Sequence, residues 1–176
     1  MALDRQPHLI GDLVELRPAT PGDFDSLFAV AGDPLIWEVH PAHDRWQEPV
    51  FRRFFADGLA SGGMLVAIDR ASGAVIGSSR YDFSRAEPDE VEIGWTFLAR
   101  SHWGGRHNGE MKRLMLDHAF TSVSRVMFMI GETNVRSRRA IEKIGARLTD
   151  RRHHAEMAGK PVTHVIYTIE RNGAPG

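Results

Sequence analysis

The chain has 176 residues, 42% of them apolar and 26% charged, with a net charge of -1 when its nine histidines are neutral. That length supports one well-buried domain, and the near-zero charge gives no global electrostatic reason to expect nucleic acid or an acidic membrane as the main partner. The absence of cysteine excludes disulfides, thiolate nucleophiles and Cys-based zinc sites and fits a cytoplasmic setting. The opening MALDRQPHLIGD carries Asp4 and Arg5 without a continuous apolar core, so no signal peptide is expected there. No apolar run approaches the roughly 20 residues that span a bilayer.

In chain order, DLVELRPAT (12–20) alternates and predicts a first strand. TPGDF then predicts a helix start, with Thr20 as N-cap, Pro21 in the first turn and Asp23 three residues after the cap. That helix should run to about Ala31 and stop near Gly32 and Pro34. WEVHPAHDRW (37–46) is aromatic, His-rich and interrupted by Pro41, which predicts a loop. EPVFRRFFADGLA (48–60) predicts a second helix, ended by Gly62 and Gly63.

Three strands should follow as an antiparallel meander: 64–70, 74–83 and 91–97. In the last, Val91, Ile93, Trp95 and Phe97 fall on one face and Glu92, Gly94 and Thr96 on the other. A helix is predicted over about 108–121, with Met111, Leu114, Met115, His118 and Ala119 as its buried stripe and Glu110, Arg113, Asp117 and Thr121 opposite. RVMFMIG (125–131) is apolar on both faces, as in a strand covered on two sides. NVRSRRAIEKIGA (134–146) predicts a helix with Asn134 near its start and Gly145 as its stop; Ser137 falls on the stripe of Ala140, Ile141 and Ile144. A final hairpin would use ARLTDR and VTHVIYTIE, joined by a mobile HHAEMAGKP, and RNGAPG at the end should fray. The order is β-α-α-β-β-β-α-β-α-β-β: an α/β (α+β) fold in a single domain over 1–176, with a mixed, mostly antiparallel sheet flanked by helices.

The stretch SHWGGRHNGEMKRLML (101–116) places Gly104, Gly105, Arg106, His107, Asn108 and Gly109 at the mouth of a helix. A helix N-terminus offers unpaired N–H groups and a partial positive charge, and glycine lets an anion approach closely. Arg106 and His107 stand at the dipole end unfavourable to a cation, a conflict that a bound anion removes. By itself the stretch reads first as an ordinary Gly-rich turn with surface basic residues. It is not a Walker loop, having no Gly-Lys-Ser/Thr, and the strand before it belongs to a meander, unlike a dinucleotide fingerprint.

Taken together, the element order, EIGWTFLARSHWGG and NVRSRRAIEKIGA resemble the GNAT acetyltransferase family over nearly the whole chain, and most closely its ribosomal-protein N-acetyltransferase branch. The family's phosphate turn, R/Q-x-x-G-x-G/A, aligns with Trp103 to Asn108, so that Arg106 replaces the first consensus Gly and Asn108 the Gly/Ala place. A positive φ at Arg106 would cost about 1–2 kcal/mol unless Gly105 absorbs it. The tyrosine that many members use to protonate the leaving thiolate is matched by Ile141.

The resemblance implies acyl transfer from acetyl-CoA, as donor cosubstrate and without a metal, to a primary amine: a protein N-terminal α-amine or a small molecule. It implies donor contacts from the turn (Trp103 to Gly109), from Asn134 and Arg139, and from the free edge of the strand holding Trp95, Thr96, Phe97 and Leu98, where the pantetheine pairs. A backbone N–H near Gly94 to Thr96 would meet the oxyanion. Glu92 is the candidate base through a water, or a solvent-exposed strand glutamate. Ser137 is the candidate acid toward sulfur, or a small packing residue; Asn134 binds the donor, or caps its helix. Acceptor contacts are expected from Trp37, His40, Trp46 and Tyr81, as a binding wall or as a cap over the core. Homodimers are frequent in the resembled family.

Three rivals are weaker. His40 and His43 have H-x-x-H spacing, but Pro41 argues against a shared helix face and no third ligand has a known spacing. A non-catalytic, CoA-binding sensor would keep the turn and lose the acid and base. Nucleic-acid binding through the arginines of 136–152 is disfavoured by the total charge.

Overall fold

The computed structural model describes residues 2–171, so the fraying expected of 172–176 lies outside the described residues. The elements are β1 (Leu9–Ile10), β2 (Val14–Pro18), α1 (Phe24–Ala31), α2 (Glu48–Ser61), β3 (Met64–Asp69), β4 (Val75–Asp82), β5 (Glu90–Leu98), α3 (His107–Ala119), β6 (Arg125–Gly131), α4 (Val135–Lys143), β7 (Arg147–Met157) and β8 (Lys160–Glu170). They form one eight-stranded sheet in the order β1-β2-β3-β4-β5-β6-β8-β7. Neighbours are antiparallel except β5 and β6, which are parallel and joined by the α3 crossover. The expected order and mixed sheet are those observed.

Local chemistry explains most element ends. Thr20 N–H donates to Asp23 Oδ2 at 2.7 Å, a capping interaction, but the first turn is a 3₁₀ segment, Pro21–Asp23, before α1 proper. Gly62 closes α2 at φ 73°, a conformation that costs glycine no Cβ clash.

Two elements differ from expectation. The two-residue β1 pairs with β2 and is too short to leave an alternation signal. The segment expected to be a mobile connection, 153–161, is mostly strand: β7 runs to Met157 and β8 starts at Lys160, with Ala158 and Gly159 as the turn at φ 51° and 76°. Both turn residues have the positive φ of a tight two-residue hairpin, and the pairing of polar residues such as His154 with Thr163 forms the ladder through the backbone. His153 and His154 therefore sit on a strand, not in a loop.

The sheet has a core on each face. Helix α3 buries Met111, Met115 and Ala119, and α4 buries Ile141, against Val91, Ile93, Val126 and Phe128. On the other face α1 and α2 bury Leu27, Phe51, Phe54 and Phe55 with Trp37, Val66 and Phe97. Strand β5 crosses between these environments. Its pairing with β4 shifts register between Ser78 and Arg80, and Trp95 sits at φ 52°. This bulge puts one extra residue into β5. Val91 and Ile93 stay with α3, whereas Trp95 and Phe97 join the α1/α2 core and Thr96 faces α3. The expectation that Val91, Ile93, Trp95 and Phe97 share one face is corrected, because the bulge moves the last two to the side of Glu92.

Candidate active site

The turn before α3 is held by its own geometry. A 3₁₀ turn, Arg100–His102, leads into Trp103, and Gly104 takes φ 74°. Arg106, the residue just before α3, has φ −88°, so neither it nor Gly105 bears the strain considered above; Gly104 does, at no steric cost. The backbone N–H groups of Gly104 to Asn108 have no protein acceptor among the described residues. A Cβ placed on Gly104 or Gly109 would meet nothing within 4 Å. An open set of amides at the positive end of a 13-residue helix fits a doubly charged pyrophosphate.

Strand β5 leads away from this turn along an open margin. It pairs with β6 only from Glu90–Arg125 to Glu92–Met127, and beyond that point the two strands part. Trp95 to Leu98 lie on the parted segment, where a peptide-like chain can pair with backbone. Part of that margin is already used: Trp103 Nε1 donates to the Leu98 carbonyl at 2.9 Å. Where the strands separate stands Lys112 of α3, buried, its Nζ 2.7 Å from Thr96 Oγ1 and 5.7 Å from the Phe128 ring. Burial alone pulls its pKa down to about 7.

Glu92 is not an exposed strand glutamate. It is 1% exposed, and its carboxylate accepts from Arg85 Nε at 3.0 Å and Arg85 Nη2 at 2.7 Å. Burial pushes its pKa up, Asp82 on the neighbouring strand adds to this, and Arg85 holds it back. The result is a buried carboxylate that holds a proton more readily than an exposed one, on the α1/α2 side of the bulge with Oε2 close beside Gly94.

Helix α4 brings a second wall. Asn134 Oδ1 accepts the Ser137 N–H at 3.3 Å, so the side chain acts as the helix cap. Ser137 is half-buried and Arg139 is exposed. Arg136 lies 3.8 Å above the Trp103 ring and ties α4 to the turn.

The acceptor residues need correcting. Tyr81 is 0% exposed, on the α3 side of the sheet, and its hydroxyl donates to the Met115 carbonyl at 2.6 Å; strand parity puts it in the core. Trp37 is 1% exposed and its Nε1 donates to the Ala31 carbonyl at 2.8 Å, so it caps the aromatic core instead of lining a wall. His40 accepts the Ala42 N–H through Nδ1 at 2.9 Å, and burial and Arg45 lower its pKa to about 3, which keeps it neutral. Trp46 is exposed. None of the four lines the open cavity of ≈ 400 Å³ on the Glu92 side; its walls include Asp44, Arg45, Phe54, Asp57, Arg80 and Trp95. The loop 37–46 contributes Ala42, Asp44 and Arg45 to this cavity, and Arg80 on β4 carries no sequence signal that separates it from a surface arginine.

Asp69, His102 and His107 also converge, with one carboxylate oxygen and two imidazole nitrogens within 4.8 Å of one another. His107 Nε2 lies 3.2 Å from Asp69 Oδ1, and Ser72 donates to Asp69 Oδ2 at 2.7 Å. The three groups pin the turn to the end of β3. They form a different set from the His40/His43 pair considered in the sequence.

Residues 14–147 match the family model of the GNAT acetyltransferase domain. No curated protein matches the chain. Among solved structures it is similar to a GCN5-related N-acetyltransferase from Brucella melitensis (TM-score 0.80, 22% identity, covering 97% of this chain and 81% of that one). It is also similar to a GNAT-family acetyltransferase from Bacillus anthracis (TM-score 0.74, 16% identity, 93% and 98% covered). A third similar structure is Mycobacterium smegmatis RimJ in complex with CoA-disulfide (TM-score 0.72, 19% identity, 99% and 93% covered). At these identities the structural likeness speaks for the fold. Among the described residues no helix is long and apolar enough to cross a membrane.

Proposed function

The chain belongs to the GNAT acetyltransferase family, and from that premise we propose that it transfers acetyl from acetyl-CoA to a primary amine, a small molecule or a protein N-terminus, by direct attack. The reading treats 1–176 as one domain. The observation that carries it is the run of unpaired amides from Gly104 to Asn108 leading onto the parted margin of β5, with a buried carboxylate at the bulge.

In this reading the turn holds the pyrophosphate and Trp95 to Leu98 hold the pantetheine. Asn134 and Arg139 are the α4 residues assigned to the donor, Asn134 through whatever its capping role leaves free. As the acceptor nitrogen forms its bond to the acyl carbon, the carbon–sulfur bond breaks. The proton leaving nitrogen goes toward Glu92, through water. The thiolate takes a proton in turn, and Ser137 is the hydroxyl assigned to supply it. An α-amino group, with a pKa of about 7.7–8.0, needs little help to be neutral, whereas a lysine at about 10.4 needs far more. A base already eased by burial suits the first. Backbone N–H at the bulge would face the negative oxygen.

Calorimetry with acetyl-CoA tests the donor half, and thiol release in the presence of amines and peptides tests transfer. Saturable binding with amine-dependent thiol release is expected. Absence of saturation in folded protein at millimolar acetyl-CoA removes the reading. Saturation without release for any amine points instead to a non-catalytic CoA sensor.

A further inference from the structure

Arg80, whose charge acts on Glu92 and on Arg45, and Arg45 itself are both buried without a hydrogen-bond partner among the described residues. Arg80 is 5% exposed and Arg45 is 9% exposed. Among the described residues no acceptor lies within hydrogen-bonding distance of either guanidinium, and Arg80 Nε is fully enclosed without a partner. Arg80 lies 4.2 Å from the ring of Trp95, the bulge residue, and 5.7 Å from Phe54; Arg45 lies 4.4 Å from Phe54 on its other approach. Both open onto the ≈ 400 Å³ cavity.

Such a pair is costly. A buried cation without a counter-charge loses hydration and gains only aromatic contacts, and two of them repel. Burial, then Arg80, pulls Arg45 down to about 10. The nearby acids do not cancel this. Asp44 favours the charge on Arg45, and Asp82, Asp57 and Glu92 favour that on Arg80, but among the described residues none of them forms an ion pair or hydrogen bond with either guanidinium, and Glu92 is hydrogen-bonded to Arg85 instead. Guanidinium groups aimed into a cavity, with planar donor forks unused, match an oxyacid anion.

We propose that the amine acceptor carries a carboxylate, held by Arg80 and Arg45 across the Phe54 ring while its amine faces Glu92. This rests on acetyl transfer at the same site and narrows its substrate to amino acids or chain ends bearing an acid. The arrangement sets specificity by what it lacks: an acceptor without the anion leaves both cations buried and unpaired. Sites that expect a polar group reject its absence strongly.

The test uses the full chain with acetyl-CoA and paired acceptors: glutamate and aspartate against their diamides, which keep no carboxylate, and a neutral alkyl amine, and C-terminally amidated peptides starting with Asp against the same peptides starting with Asn. Carboxylate acceptors should exceed their neutral partners by about tenfold or more in kcat/KM, and the two arms distinguish a free amino acid from an acidic N-terminus. Arg80→Met, which removes a buried unpaired charge and so should fold, is expected to raise KM for the carboxylate acceptor by about tenfold. It should leave acetyl-CoA affinity within about twofold and should lower kcat/KM for a neutral amine by less than for the carboxylate acceptor; Arg80→Lys should restore part of the loss. Equal rates for charged and neutral partners overturn the proposal, as does an Arg80→Met loss shared by both. So does acetyl-CoA binding with no carboxylate-bearing amine turned over. Failure of acetyl-CoA itself to bind instead removes the transferase reading beneath it.

Discussion

The Glu92 carboxylate and the Arg85 guanidinium face each other through two hydrogen bonds, at 3.0 and 2.7 Å, with Glu92 buried and Arg85 half-exposed. Burial raises the acid's pKa and Arg85 opposes it. The pair therefore sets the pH at which a base is available next to the bulge.

Glu92→Gln should depress turnover by about a hundredfold or more, as for lost general-base catalysis, while acetyl-CoA affinity changes little. Arg85→Met removes a cation that favours the carboxylate, so Glu92 should titrate higher and the acid limb of the kcat/KM profile should move to higher pH. Steady-state rates across pH check both. An acid limb unmoved by Arg85→Met, or full turnover in Glu92→Gln, separates Glu92 from proton transfer.

Lys112 gives a stability signature. Its pKa is about 7 in the folded protein, against 10.5 for an ordinary lysine. Between those values the unfolded chain holds a proton that the native one has lost, so stability should rise with pH from about 7 towards 10. Lys112→Met should abolish that rise relative to wild type and should melt no lower at pH 7, because a buried unpaired ammonium is gone. Urea midpoints at pH 7 and pH 9.5 measure the difference; parallel shifts in both proteins contradict it.

Glu110 ties α3 to the first strands. Its carboxylate accepts the N–H groups of Asp12, Leu13 and Val14 at 2.9, 2.7 and 2.7 Å. Burial pushes its pKa up, but the three amides together outweigh this and hold it below 4.5. Its contribution is thus present above the ordinary carboxyl range and lost as pH falls through the depressed folded value. Glu110→Ala should cost about 2–4 kcal/mol by stranding buried N–H groups, and the deficit should shrink in acid. Denaturant melts at pH 7 and pH 3 follow it.

At the phosphate turn, Gly104→Val should weaken acetyl-CoA binding by about tenfold, since a β-branched residue resists φ 74° and the turn must reshape. Arg106→Glu should weaken it too, by charge. Calorimetric affinities decide each, and an unaltered value for Arg106→Glu would make Arg106 an ordinary surface residue.

Much of the fold was legible because its signals are local. Thr20 to Asp23, Gly62, and the Met111, Met115 and Ala119 stripe follow from cap chemistry, glycine geometry and helical period. The open turn before α3 was legible for the same reason, since Gly104 and Gly105 before a helix are a local statement. The failures are non-local. Glu110 looks like a polar-face residue until α3 meets the amides of residues 12–14. Alternation misassigned Trp95 and Phe97 because a bulge against β4 adds a residue that period two does not contain. Tyr81 and Trp37, taken for acceptor contacts, are spent on carbonyls of elements that only folding brings near. Arg80 and Arg45 gave no signal, because an arginine's burial is a property of its neighbours.

By itself the sequence determined the order of elements, the helix that begins at an open Gly-rich turn, and the strand that leads to it, because backbone propensity and periodicity are written in adjacent residues. Only the tertiary structure decided which residues of β5 join each core, that Glu92 is buried against Arg85, and that the Arg80 and Arg45 guanidiniums are buried without hydrogen-bond partners among the described residues. Those depend on strand register and on the distance between charges far apart in the chain, and the cost of burying a charge is set by what surrounds it.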